Sequence, residues 1–274
     1  MSAPHSALVT GCSSGIGRAT AERLADGGWT VYATARRPET LAGLEARGCR
    51  ILALDVTDEA SMAAAVEAAG PVGALVNNAG YSQSGALETV TPEAVRRQFE
   101  TNVFGLPRLT QLVLPAMRER GSGRIVNLSS MGGRMALPGG GVYHATKYAV
   151  EALSDVLRYE VAAFGIDVIC IEPGLIRTEF AATAAGSIEG GGAYAPFNAA
   201  VARTTEGAYD GPLGRLGAGP EAVAAAIHKA LEADKAPTRV PVTASARVFM
   251  GLRRVLPDRA WDRVLARSYP RPGA

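Results

Sequence analysis

Short aliphatic and β-branched runs at 7–10, 30–35, 50–55, 74–77, 124–128 and 167–171 alternate with longer Ala-, Leu-, Arg- and Glu-rich segments at 16–27, 39–47, 58–69, 92–118 and 144–164. No other feature restricts the fold so tightly. Most of the short runs are almost continuously apolar, as strands buried on both faces must be. The longer segments carry helical spacing. In the last of them Val150, Leu153, Leu157, Val161 and Phe164 recur on one face. Strand and helix in strict succession lead to a parallel sheet with crossovers that place helices on both faces. The pattern predicts an α/β fold: a doubly wound, Rossmann-like parallel sheet of about seven strands in the order 3-2-1-4-5-6-7.

The 274 residues are 47% hydrophobic and 20% charged, with a net charge of +2. That is enough apolar material for one large core, and neither a repeat nor a linker divides it. Residues 1–274 are expected to form a single domain. A charge so near zero offers no clustered basic face for nucleic acid. Cys12, Cys49 and Cys170 lie in or beside apolar runs, which suits reduced core thiols rather than a disulfide framework. Strand-like residues begin almost at once, with no charged leader and apolar signal core. No apolar run approaches the ~20 residues of a membrane span. The expected location is cytoplasmic.

Composition shifts near residue 181. Residues 181–219 are rich in Gly and Ala, carry Tyr194, Pro196, Phe197, Tyr209 and Pro212, and show weak periodicity. A stretch this long without regular structure is a lid, a binding loop or disordered; a mobile substrate lid is expected. Helical character returns at 220–233, a short strand is expected near 238–242, and C-terminal helices near 244–267. There Val248, Phe249, Leu252, Val255 and Leu256 accompany Arg247, Arg253 and Arg254. That mixture suits a helix covering a pocket better than one lying on a membrane surface.

Gly11, Ser13, Ser14, Gly15, Ile16 and Gly17 follow the first run and open the first helix. Glycines there permit a tight turn, and a helix N-terminus beside it favours an anion such as a pyrophosphate. The spacing is Gly-x-x-x-Gly-x-Gly, so simple structural punctuation is the competing reading. The second run ends in Ala35-Arg36-Arg37, where NAD-binding folds place an acid for the ribose hydroxyl. Arg36 and Arg37 suit a 2′-phosphate instead, or else begin the next helix as solvated charges. The expected cofactor is NADP(H). Asp55, followed by Val56, either accepts from an adenine amino group or caps the next helix. Asn77 to Gly80, including Asn78 and Ala79, either runs beside a ribose or nicotinamide or is an ordinary turn.

Tyr143 precedes Lys147 by one helical turn, and only three of the 28 basic residues are Lys. Residues four apart share a helix face. An ammonium near a phenol favours the phenolate, so this pair can exchange protons with an alcohol or ketone near neutral pH. A plain surface pair is the alternative. Asn102, in a helical segment, is disfavoured there and calls for a reason such as a water or a break in the helix.

These pieces, with Ser130 thirteen residues before Tyr143 and Pro173-Gly174 before Thr178, resemble the short-chain dehydrogenase/reductase family in its compact single-domain branch. They cover about residues 6–180, in the family's order. Val31 to Arg36 and Cys12 are more specifically similar to the subgroup of type 1 17β-hydroxysteroid dehydrogenase and related bacterial oxidoreductases. The resemblance implies a tetrad. Tyr143 is the general acid or base, and Lys147 lowers its pKa and holds the nicotinamide ribose. Ser130 hydrogen-bonds the substrate oxygen, and Asn102 holds a water in the proton relay. Thr178, with the segment of Gly174 and Ile176, contacts the carboxamide. It further implies a homodimer or homotetramer formed through the helices near 92–118 and 144–164, with Leu114, Met117 and Leu157 as apolar candidates. The expected reaction is hydride transfer between NADP(H) and a ketone or secondary alcohol. Tyr81, Met135, Leu137, Val142, Tyr194 and Phe197 are candidate pocket walls, which suits a hydrophobic substrate; core packing is the alternative for each. A silent cofactor-binding sensor or scaffold and a nucleotide-sugar epimerase or dehydratase are the rival readings. His5, His144 and His228 form no ligand-spaced set, so no metal is expected.

Overall fold

A computed structural model describes residues 5–189, 191–209 and 212–272. In chain order the elements are β1 (Ser6–Val9), α1 (Gly15–Asp26), β2 (Thr30–Ala35), α2 (Ala42–Glu45), β3 (Arg50–Ala53), α3 (Glu59–Ala69), β4 (Ala74–Asn77), α4 (Pro92–Phe99), α5 (Gly105–Arg120), β5 (Gly123–Leu128), α6 (Gly141–Val161), β6 (Ile166–Pro173), α7 (Phe180–Gly186), α8 (Ala195–Glu206), α9 (Pro220–Glu232), β7 (Arg239–Val242), α10 (Ala244–Val255) and α11 (Asp258–Leu265). Seven strands form one parallel sheet in the order β3-β2-β1-β4-β5-β6-β7. This is the expected doubly wound, Rossmann-like arrangement.

Alternate strand residues face opposite sides, so each strand feeds two cores. On one side Val31, Ala33, Val126 and Ile169 pack with Leu24 of α1 and Ile227 of α9. On the other, Leu8, Leu75 and Ile125 pack with Met62 of α3, Met117 of α5 and Val161 of α6. Strand order reverses between β1 and β4, so a crevice opens beyond their carboxyl ends. β7 is an edge strand. It carries Pro241, whose carbonyl accepts from the Arg247 guanidinium at 3.5 Å. Among the described residues no helix is long and apolar enough to cross a membrane.

Three expectations about elements need correction. The segment 92–118 is not one helix: a π-helical turn, Glu100–Phe104, separates α4 from α5. It turns Asn102 inward, where its amide donates to Tyr81 O (2.8 Å) and Thr146 Oγ1 (3.1 Å) and accepts from Tyr81 N (3.1 Å). The segment 39–47 shrinks to a 3₁₀ turn at Pro38–Leu41 and the single turn α2. Residues 181–219 are not mainly irregular. They hold most of α7, α8 and three 3₁₀ turns; residues 190, 210 and 211 of that segment lie outside the described ones. Alanine supplies the helix propensity even where the apolar pattern is faint.

Candidate active site

The turn after β1 is shaped by what it must avoid. A Cβ on Gly17 would lie 2.2 Å from Gly11 O and 2.4 Å from Asn78 Nδ2, so only glycine lets α1 start this close to the loop. Ser14 is the N-cap but makes no capping bond, and the first turn of α1 holds no acid. Its leading N–H groups lack side-chain acceptors, the setting in which a helix N-terminus takes a phosphate. Thr10 braces the turn from beneath: its hydroxyl accepts from Asn78 N (3.0 Å) and Ala79 N (2.9 Å), while Asn78 Nδ2 donates to Thr10 O (2.8 Å).

A cleft of ≈ 1370 Å³ extends from this turn to the C-terminal helices. That exceeds the roughly 300–1,000 Å³ of a typical small-ligand pocket and leaves space for a dinucleotide beside a second molecule. Gly11, Ser13, Ser14, Gly15 and Ile16 line it, as do Arg36, Asp55 and Val56. So do Asn78, Ala79, Gly80 and Tyr81, then Ser130, Met135, Leu137, Tyr143 and Lys147, and finally Pro173, Gly174, Ile176 and Thr178. The capping alternative for Asp55 fails: Asp58 caps α3 through Ser61 N, and Asp55 instead accepts from Thr57 N and Oγ1 at 2.9 and 2.8 Å.

Six predicted residues do not reach the wall of this cleft. Gly17 faces the loop behind it, and Arg37 is the exposed N-cap of the 3₁₀ turn. Val142 is buried. Tyr194 points its hydroxyl at Glu88 Oε2, 2.6 Å away, and Phe197 packs in a small satellite cluster with Ala86 and Val201. Asn102 lies behind the wall, beside a second cavity of ≈ 10 Å³ that Lys147, Thr10 and Asn77 also line. That is about the space of one water.

Lys147 is 7% exposed, and its Nζ donates to Leu128 O at 2.6 Å. Burial pulls its pKa down to about 8. The same Nζ lies 5.8 Å from the centre of the Tyr143 ring. Tyr143 also meets Phe180 of α7 edge-on, with ring centres 5.3 Å apart. Ser130 Oγ accepts from Gly132 N at 3.0 Å and keeps its own proton for another acceptor. His144 also lines the cleft, with Nδ1 3.1 Å from Gly132 O, and burial lowers its pKa. One turn beyond Lys147, the buried Glu151 shares Arg239 with Glu172, at 3.0 and 3.5 Å. Burial, then the Glu151 charge, raises the pKa of Glu172 to about 7.

Sequence reasoning missed two features. A buried chain joins Asn77 to Asn127 (2.9 Å) and Asn127 to Ser154 (2.9 Å), tying β4, β5 and α6 together beneath the site. Two asparagines inside otherwise apolar strands were the available signal. Trp261, Val264 and Leu265 of α11 line the far end of the cleft with Phe249 of α10. The C-terminal helices were expected to cover a pocket, with Phe249 among the residues named, but Trp261, Val264 and Leu265 were not singled out.

Residues 5–187 match the short chain dehydrogenase family. The 3-ketodihydrosphingosine reductase of Bacteroides thetaiotaomicron is 42% identical over 181 residues, 65% of this chain and 66% of that one. Human 17-beta-hydroxysteroid dehydrogenase type 1 is 41% identical over 196 residues, 66% of this chain and 60% of that one. The NADPH-dependent 3-dehydrocapnine reductase of Ornithobacterium rhinotracheale is 33% identical over 272 residues, 94% of this chain and 95% of that one. Among solved structures, a short-chain dehydrogenase from Streptomyces avermitilis superposes with a TM-score of 0.80 at 41% identity, covering 95% of this chain and 97% of that one. Fold, cleft and relatives converge: the chain belongs to the short chain dehydrogenase family of oxidoreductases.

Proposed function

We propose that the protein is an NADP(H)-dependent oxidoreductase acting on a hydrophobic ketone or secondary alcohol. The carrying observation is the placement of Tyr143, Lys147 and Ser130 on one cleft whose other end is the uncapped start of α1. The residues present suit a dinucleotide. The α1 N-terminus and the Gly turn would hold its pyrophosphate, Asp55 and Val56 would flank the adenine, and Lys147 would hold the nicotinamide ribose. Ile176 and Thr178 would face the carboxamide. Bound nicotinamide would supply or accept the hydride.

The chain's own part is the proton and the position. As charge grows on a carbonyl oxygen, Ser130 donates a hydrogen bond to it and Tyr143 donates a proton. The Lys147 cation favours the phenolate that remains. A water in the small cavity beside Asn102 and Lys147 would connect the site onward. Tyr81, Met135, Leu137, Phe249 and Trp261 give the substrate end a largely apolar wall, and relatives named for a ketosphingoid and a hydroxysteroid support a lipophilic substrate. Val142, Tyr194 and Phe197 have no part in this reading. Buried reduced thiols at Cys12, Cys49 and Cys170 suit a cytoplasmic setting.

Arg36 carries the cofactor preference. It lines the cleft at the end of β2, where no acid stands, and the 3-dehydrocapnine reductase relative is named as NADPH-dependent. Arg37, off the wall, is assigned no contact. Loss of one charge-assisted contact costs about 1.5–3 kcal/mol. Arg36→Ala should therefore weaken NADPH binding roughly 10- to 100-fold and leave NADH binding nearly unchanged. Fluorescence titration of both cofactors, followed by a panel of ketones and alcohols read by nicotinamide absorbance, tests the reading. Equal affinity of the unmodified protein for NADPH and NADH sinks the preference, and no turnover across a lipophilic panel sinks the substrate class.

A further inference from the structure

α10 has two apolar faces, and only one of them is used. Phe249 lines the cleft, and Ser245 and Ala246 are fully buried. On the other side Val248, Leu252 and Val255 form a stripe at i, i+4 and i+7, exposed by 52%, 36% and 73%. Arg247 and Arg254 stand exposed beside that stripe, Arg247 with a long 3.5 Å bond to Pro241 O. Arg253 is engaged elsewhere, 2.7 Å from Asp258.

Charge is distributed just as unevenly. Residues 244–274 hold seven arginines and two aspartates, a net charge of +5 in a chain whose total is +2. Everything before residue 244 is therefore net acidic, at −3. An exposed aliphatic stripe bordered by arginines, inside a C-terminal region of net +5 on a chain otherwise net acidic, has the make-up of a helix lying in a lipid interface. A second copy suits it poorly: a two-fold contact through α10 would bring two regions of +5 together.

We propose that α10 and the adjoining C-terminal region form a docking surface for an anionic lipid bilayer. The docking stands on the stripe and the charge alone. If the oxidoreductase reading also holds, a lipid-borne ketone or alcohol has a short path from the bilayer to the cleft, because Phe249 of the same helix lines that cleft.

Co-sedimentation of the full chain with vesicles tests this without any turnover. Phosphatidylcholine vesicles should retain little protein. Vesicles containing about 30% phosphatidylglycerol should bind it, and binding should fall steeply as salt rises from about 0.05 to 0.5 M. Val248→Asp with Val255→Asp should weaken binding at least roughly 10-fold. Arg247→Ala with Arg254→Ala should weaken it roughly 10- to 30-fold. Both variants should keep the circular dichroism spectrum and melting temperature of the parent, since neither pair is buried. Absence of binding to anionic vesicles overturns the proposal, as does binding that neither variant changes. A variant that lowers the mass seen by light scattering overturns it too, because the stripe would then be covered by a second copy.

Discussion

Tyr143 is half-buried at the cleft wall, whereas Lys147, one helical turn on, is almost wholly enclosed. The difference separates their expected phenotypes. General acid catalysis is worth about 10²–10⁴ in rate. Tyr143→Phe should lower turnover by at least ~10²-fold while NADPH binding changes little, as single-turnover kinetics and titration would report. Near-normal turnover would move the proton to another donor, either water or His144, which lines the same cleft with its ring centre 5.6 Å from that of Tyr143. Lys147 is held at a cost to stability. Burial lowers its pKa from 10.5 in an unfolded chain to about 8 in the fold, so the cation is disfavoured there. Below pH 8 that cost is fully present. It shrinks as pH rises from 8 toward 10.5 and is absent above, once both states have released the proton. Lys147→Met should therefore stabilise the protein at pH 7 by about 1–3 kcal/mol in urea unfolding, while abolishing activity. The gain should fade by pH 10; an equal gain at both pH values would exclude desolvation as its cause. The Tyr143–Lys147 pair stood out in the sequence because only three of 28 basic residues are Lys and the two lie one helical turn apart, whereas Ser130 was named through the family resemblance. Val142, Tyr194 and Phe197 were misplaced because an apolar residue reads alike whether it walls a cleft or packs against a neighbour.

Among the elements, the alternation of apolar runs was readable strand by strand because burial on both faces leaves a run no polar positions. The π turn was not readable in the same way. Asn102 signalled an interruption in the helix, but its inward turn depends on Tyr81 and Thr146, which are distant in sequence. The α7–α8 region was hidden for the opposite reason: alanine makes helices that need little amphipathic pattern. It is tied to the 82–89 loop by Gln83 Nε2 to Ser187 O (2.7 Å), Ser84 N to Ser187 Oγ (2.9 Å) and Ala86 N to Asn198 Oδ1 (2.9 Å). A lid built this way should move as a unit rather than fray. Hydrogen exchange across residues 180–206 should be fast in the free protein and slower, cooperatively, with cofactor and substrate. Equal protection in both states would remove the lid. Gly174 cannot vary in this arrangement: a Cβ there would sit 2.4 Å from Ser245 Oγ and 2.5 Å from Thr243 Oγ1.

For the molecule as a whole, the outer faces of α5 and α6 bear on self-association. Of the apolar candidates from sequence, Met117 is fully buried in the core, while Leu114 and Leu157 pack beside it and stay partly exposed. The exposed apolar residues of α6 are Tyr148, Leu153, Val156 and Tyr159, with Tyr159 86% exposed. Light scattering at micromolar concentration should give a dimer or tetramer, and Val156→Glu with Tyr159→Glu should shift it toward a monomer. A strictly monomeric parent would refute that face as an interface. The edge of the sheet faces a different problem, because unpaired strands invite copies of themselves. Thr238 and Val242 give their carbonyls to β6, at 2.9 and 3.1 Å, so the alternate residues Arg239 and Pro241 turn their main-chain groups outward. Pro241 has no N–H to offer a newcomer, and Arg247 already occupies its carbonyl. A strand arriving from another molecule finds one donor missing and one acceptor taken, which makes β7 a poor template for edge-to-edge growth from that side.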